Sequence, residues 1–137
     1  MARSTLVTGR SYRKWSRAIT EADTNTTVKA IEVPAGSFVP PYGVSVYVVE
    51  VLAGGTESLD IGDGTDPDGW VDSTDITETS IGTYSGTEAN TGAYAVAGKI
   101  YTAADTIDAV VSASLTGGTA YVSAVIQDIS DLDLTAS

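Results

Sequence analysis

The residues with the most chemical capacity in this sequence are carboxylates. Eight acids fall between Glu57 and Glu78, and the densest run reads Asp60-Ile61-Gly62-Asp63-Gly64-Thr65-Asp66-Pro67-Asp68-Gly69-Trp70. Clustered carboxylate oxygens can hold calcium, which takes about six to eight oxygen ligands. An EF-hand loop needs acids at its first, third, fifth and last positions and glycine at the sixth. Setting Asp66, Asp68 and Gly69 at the third, fifth and sixth positions puts Gly64 first, where it offers no side chain, so this is not an EF-hand. A calcium site of another kind would draw on Asp63, Asp66 and Asp68. The competing reading is a solvated turn between two strands, in which Asp and Gly supply tight backbone bends. The turn is the preferred reading, and no metal or cofactor is expected.

Two carboxylates facing a cleft suffice for glycoside hydrolysis. With 18 acids in the chain such pairs are uninformative, and only Trp70 and Tyr84 accompany them as aromatics. The chain has no His and no Cys. That removes imidazole bases, the Ser-His-Asp triad, thiolate nucleophiles, disulfides and Cys-ligated metals. No catalytic residue is expected, nor an enzyme. A net charge of −11 argues against nucleic acid as the main partner. No apolar run approaches the ~20 residues of a membrane span, and the polar N-terminus does not read as a signal peptide.

The elements that must position these groups are strands. The chain holds 15 Val, 9 Ile and 19 Thr against 6 Leu and 1 Met. β-Branched side chains lose rotamer freedom in helices and pack well on a pleated sheet. Alternation predicts strands over Val28–Val33, Ser37–Val39 (stopped by Pro40-Pro41), Val44–Leu52, Ser58–Ile61, Thr106–Leu115 and Ala120–Asp128. Shorter strands are expected at Gly69–Asp72, Ala93–Val96 and Lys99–Thr102, with a long surface loop over 73–92. Two Gly-Gly-Thr segments, Gly54-Gly55-Thr56 and Gly117-Gly118-Thr119, read as the turns of two hairpins. About eight short strands predict an all-β sandwich, jelly-roll-like, with an extended N-terminal arm; an immunoglobulin-like sandwich is the alternative.

The charge is unevenly placed. Residues 1–29 carry six basic residues and two acids, whereas residues 30–137 carry Lys99 alone against sixteen acids. The expected organisation is a basic docking arm (1–25), a β body (26–128) and a short acidic tail (129–137). Tyr12, Trp15, Ile19 and Ala22 lie three to four apart, which suggests a short helix starting near Ser11; a loosely ordered tail is the alternative. The candidate docking residues are Arg10, Tyr12, Arg13, Lys14, Trp15 and Arg17, which combine buriable rings with cations. The acidic stretch Asp128–Asp133 could pair with a neighbour's arm.

The stretch Ser58–Trp70 resembles a segment of small structural proteins of tailed bacteriophages, where a strand ends in a Gly-Asp-Gly-Thr-Asp-x-Asp-Gly-aromatic turn. Ile100–Ile107 and Thr116–Val122 are also similar to that group, so the resemblance spans about Pro34 to Asp128. It implies a virion component of the capsid decoration (cement) or head-fibre type: a β-rich homotrimer on the outer capsid surface, bound to the major capsid protein and bridging capsomers. The second reading is a fibre or tail accessory domain that binds a host glycan, with or without calcium.

Overall fold

The computed structural model describes residues 10–54, 59–87 and 93–132. The start of the arm, the tip of the first Gly-Gly-Thr segment and the end of the acidic tail lie outside the described residues. Among the described residues, nine strands form two antiparallel sheets: β1 (Arg10–Trp15), β2 (Thr26–Val33), β3 (Ser37–Val39), β4 (Val44–Ala53), β5 (Leu59–Gly62), β6 (Gly82–Ser85), β7 (Lys99–Tyr101), β8 (Asp105–Val111) and β9 (Gly117–Asp128). The chain is an all-β sandwich of a six-stranded sheet and a three-stranded sheet ordered β2-β8-β5.

Strand β9 is the spine of the large sheet. One edge pairs with β4 and, beyond it, with β3. The other edge takes β1, since Ala124 sits opposite both Val44 and Lys14. Strand β6 lies outside β4 and β7 outside β3. Period-two alternation buries Ala120, Val122, Ala124 and Ile126 of β9 with Val44, Val46 and Val48 of β4. The small sheet faces them with Val28, Ile31, Val33, Ile107, Ala109 and Val111.

Several expectations are corrected. The predicted helix from Ser11 is strand β1; an isolated short helix is marginal, whereas the open edge of β9 pairs with the segment over six residues. Only Glu21–Asp23 turns, as one turn of 3-10 helix. Ala93–Ala97 is a short helix, α1, rather than a strand. Its alanines favour helix, and Gly98, at φ +76, closes it by donating to the Tyr94 carbonyl at 2.8 Å. The expected loop over 73–92 contains strand β6 and the buried Ile76.

Neither Gly-Gly-Thr segment closes a hairpin. Strand β4 pairs with β6 and β9, while β5 pairs with β8, so the chain changes sheets between β4 and β5. It changes back between β8 and β9. The two crossovers press against each other: Thr116 N–H donates to the Ala53 carbonyl at 2.9 Å. Gly54 has φ +110, and a Cβ there would lie 1.7 Å from the Ser114 carbonyl oxygen; Gly118 has φ +97, and its Cβ would lie 2.4 Å from that of Val51. Backbone meets backbone at both places, so both positions require glycine.

Candidate functional site

The docking candidates sit on or beside β1, an edge strand, and pleating divides them. Tyr12 and Lys14 turn toward the small sheet: Tyr12 packs on the core, and the Lys14 ammonium donates to the Glu32 carbonyl at 2.8 Å. Arg10 stands opposite Asp128. Arg17 clamps Asp23 with two hydrogen bonds of 2.7 and 3.0 Å. That hydrogen-bonded guanidinium holds the Asp23 carboxyl below the usual range, against the effect of burial. Arg13 and Trp15 turn outward, away from the core.

The register shows what surrounds them. Across the outer face of the large sheet run Ser11-Gln127-Phe38-Ile100, then Arg13-Val125, then Trp15-Ser123-Ser45-Ser85, then Tyr121-Tyr47-Thr83. Trp15 leans over this surface onto Tyr47, ring centroids 4.7 Å apart. The Arg13 guanidinium lies 6.0 Å from the Trp15 ring and donates to Ser123 Oγ. Ser123 is fully buried on the outer side of its sheet, beneath these two side chains. Trp15 is nonetheless 52% exposed and Ile100 50%. Among the described residues in these strand pairings, Glu50, opposite Thr119 at the margin, is the one acid on this face. The small sheet's outer surface contrasts with it, carrying Lys29, Glu32, Asp60 and Asp108.

The acidic turn is built differently from a calcium loop. Backbone exchange between Ile61 and Val71 at 2.8 and 3.0 Å pins its base. Asp63 points inward and its side chain has no exposure. Its Oδ1 accepts from the Thr65 and Asp66 amides, each at 3.0 Å, and from Tyr94 Oη at 3.3 Å. Its Oδ2 accepts from Lys99 Nζ at 2.9 Å and Tyr101 Oη at 3.0 Å. The Tyr101 hydroxyl in turn accepts from Trp70 Nε1 at 3.2 Å, and Lys99 lies 4.4 and 4.8 Å from the Tyr94 and Tyr101 ring centroids. Burial pushes the Asp63 carboxyl up, but the hydrogen bonds from Lys99, Asp66, Tyr101 and Thr65 outweigh it and hold the group below the usual range. Burial likewise pushes Lys99 down, and its bonds to Tyr94 and Asp63 more than reverse this. The cluster ties the end of β5 in the small sheet to β7 in the large one.

Asp63 therefore uses both oxygens inside the protein, and it does not converge with Asp66 and Asp68. The carboxylates that do converge, with oxygens within 4.8 Å of one another, are Asp60, Asp68 and Asp72. Hydrogen bonding to Asp72, burial and the nearby Asp66 push Asp68 up to about 7. Asp72 moves the other way: burial raises it, and hydrogen bonds from Thr74 and Asp68 outweigh that. Near neutral pH the two share a proton. Trp70 is 1% exposed and cannot offer its ring to a sugar. Asp60 accepts from the Ser73 amide at 2.8 Å, and Asp72 and Asp75 cap the 3-10 turn Ser73–Asp75.

Sequence reasoning missed Tyr47, Tyr94, Lys99 and Tyr101. Lys99 had a visible signal, as the lone cation after residue 29. No family profile matches the sequence, and no curated protein is similar to it. Solved structures do resemble its fold. A chain in the acid-stable capsid structure of Helicobacter pylori bacteriophage KHP30 aligns over 88% of this chain and 90% of its own, with TM-score 0.63 and 16% identity. A chain in the capsid asymmetric unit of cyanophage Pam1 aligns over 93% of this chain and 91% of its own, with TM-score 0.64 and 15% identity. This chain shares its fold with components of two phage capsids.

Proposed function

We propose that this chain is a virion structural protein of a tailed phage, a decoration protein that binds the outer capsid surface as a homotrimer and bridges capsomers. The observation that carries the reading is the outer face of the large sheet, where Trp15, Tyr47 and Arg13 form an exposed aromatic and cationic patch on a body otherwise rich in acid. Aromatic and Arg side chains dominate protein–protein contacts, and their lateral burial excludes water from the charges around them. The likeness to chains of two phage capsids over about nine-tenths of both partners supports the same reading.

Of the docking candidates, Arg13 and Trp15 are the members on this outer face; Arg10 stands opposite Asp128, and Tyr12, Lys14 and Arg17 hold β1 and its flank in place. Symmetric display on a shell multiplies modest contacts into avidity, so a small patch suffices. The test is decoration of undecorated heads by the Arg13→Ala/Trp15→Ala variant, followed by electron microscopy. Occupancy should fall to background while circular dichroism shows the body folded. Full occupancy by the folded variant would overturn this docking surface.

A further inference from the structure

Among the described residues, two other than glycine take positive φ: Asn25 at 62 and Tyr42 at 55. Asparagine tolerates the left-handed region through its short polar side chain. A bulky ring there is an outlier. The cause is local. Strands β3 and β4 run in one direction along the same edge of β9, and the residues between them fold into a turn that the Gly43 amide closes onto the Pro40 carbonyl at 2.9 Å. Proline at the second position and positive φ at the third mark a type II turn, whose third position favours glycine or asparagine. This chain puts Tyr42 there. Glycine is needed one place later, where a Cβ on Gly43 would lie 2.8 Å from the Pro40 carbonyl oxygen.

Nothing among the described residues offsets that strain. Tyr42 is 50% exposed and stands outside the core, its hydroxyl makes no hydrogen bond to them, and its ring stacks on no other ring. The backbone beneath it is firmly held. The Tyr42 amide donates to the Ala95 carbonyl of α1 at 2.8 Å, and the Val125 amide donates to the Gly43 carbonyl at 2.9 Å. Pro40 and Pro41 have fixed φ. Strain kept at an exposed side chain without an internal partner is the mark of a residue retained for function. A ring with two torsions on a fixed backbone loses little entropy when it is buried by a partner. We propose that Tyr42 is a preformed anchor for the shell, its ring seated in an apolar pocket of the shell protein and its hydroxyl donating to an acceptor there. Position selects this occupant. Val125 lies opposite Arg13 on the outer face, so the turn bonded to Val125 stands two strand spacings, about 10 Å, from Arg13. A surface that meets Arg13 meets the Tyr42 turn as well, and the anchor rests on the docking reading given above.

Tyr42→Gly separates an anchor from a residue kept for the fold, because stability and binding should move in opposite directions. Glycine relieves the left-handed strain, so Tm should hold or rise by about 2 °C. Half-saturation of undecorated heads, read by titration and electron microscopy, should need about tenfold more of this variant than of the parent. Tyr42→Phe keeps the ring and loses the hydroxyl, and should need about threefold more. Half-saturation by Tyr42→Gly at the parent's concentration overturns the anchor; if Arg13→Ala/Trp15→Ala loses occupancy in the same titration, the docking surface stands without it. A Tm more than about 3 °C below the parent for Tyr42→Gly assigns the ring to the fold and also overturns the anchor. A parent that leaves the heads bare overturns both the anchor and the docking reading.

Discussion

Replacing Lys99 with Met removes the cation from Asp63 while keeping most of the aliphatic stem over Tyr94 and Tyr101. The Asp63 side chain has no exposure and Lys99 has 24%, with Nζ 2.9 Å from Oδ2. Breaking a buried pair by deleting one partner costs about 3–5 kcal/mol, because the other charge stays behind uncompensated. Four donors remain on Asp63: the Thr65 and Asp66 amides and the Tyr94 and Tyr101 hydroxyls. They place the expected cost near the lower end, about 3 kcal/mol. For a chain of this length the unfolding entropy near 60 °C is about 0.3 kcal/mol/K, so Tm should drop by about 10 °C. Differential scanning calorimetry at pH 7 measures it.

The same reasoning fixes two controls. Asp63→Asn together with Lys99→Met removes both charges, and this double variant should recover at least half of the lost stability. The pH dependence has a definite sign. Asp63 in the parent lies below its unfolded value, so its contribution is present above about pH 4 and is lost as pH falls through the lower folded value. Without Lys99 the carboxyl protonates earlier, so the deficit of Lys99→Met should narrow between about pH 5 and pH 3. A variant within about 2 °C of the parent at pH 7, or a double variant worse than Lys99→Met alone, would refute the account of this cluster.

Gly118→Ala should destabilise the fold by about 2 kcal/mol or more, read by urea denaturation, because its Cβ would press on the Val51 carbonyl at a φ that alanine resists; a change below half that would mean the crossovers can part. Asp68→Asn should raise Tm relative to the parent at pH 8 and match it near pH 4. The parent Asp68, pushed up to about 7, binds its proton more tightly folded than unfolded, so its stabilising contribution is full below about pH 4 and declines as pH rises toward 7. A lower Tm for Asp68→Asn at pH 8 would contradict the shared proton. Trp15→Ala should leave Tm within about 3 °C of the parent, since the ring is half exposed on an outer face; calorimetry of the purified variant checks it.

Strands were legible where period-two alternation is strong. Val44–Leu52 and Ala120–Asp128 carry their buried positions two apart, and the structure buries Val44, Val46, Val48, Ala120, Val122, Ala124 and Ile126 as that pattern requires. Strand partners were not legible. Glycine supplies positive φ to a hairpin turn and to a crossover alike, so Gly54 and Gly118 carry no mark of the sheet that the chain enters next. Strand β6, Gly82–Ser85, has too little alternation to register and exists because β4 offers an edge. In the arm, the three-to-four spacing of Tyr12, Trp15 and Ile19 mimicked a helix, although Ile19 bridges to Ala120 in the sheet. The acidic turn was visible as composition, but Asp63's partner Lys99 lies 36 residues away, and no local pattern links them. The docking residues were named as one set; only the pleat of β1 separates outward Arg13 and Trp15 from inward Tyr12 and Lys14.

The central claim is a place on the outside of a phage head, reached through the outer face of the large sheet. Electron microscopy of heads mixed with the full chain tests it most directly. Added density should stand on the outer surface at symmetry-related positions, with Trp15 and Tyr47 turned toward the shell and the charged outer face of the small sheet toward solvent. Bare heads, density confined to the tail, or the small sheet pressed against the shell would contradict it.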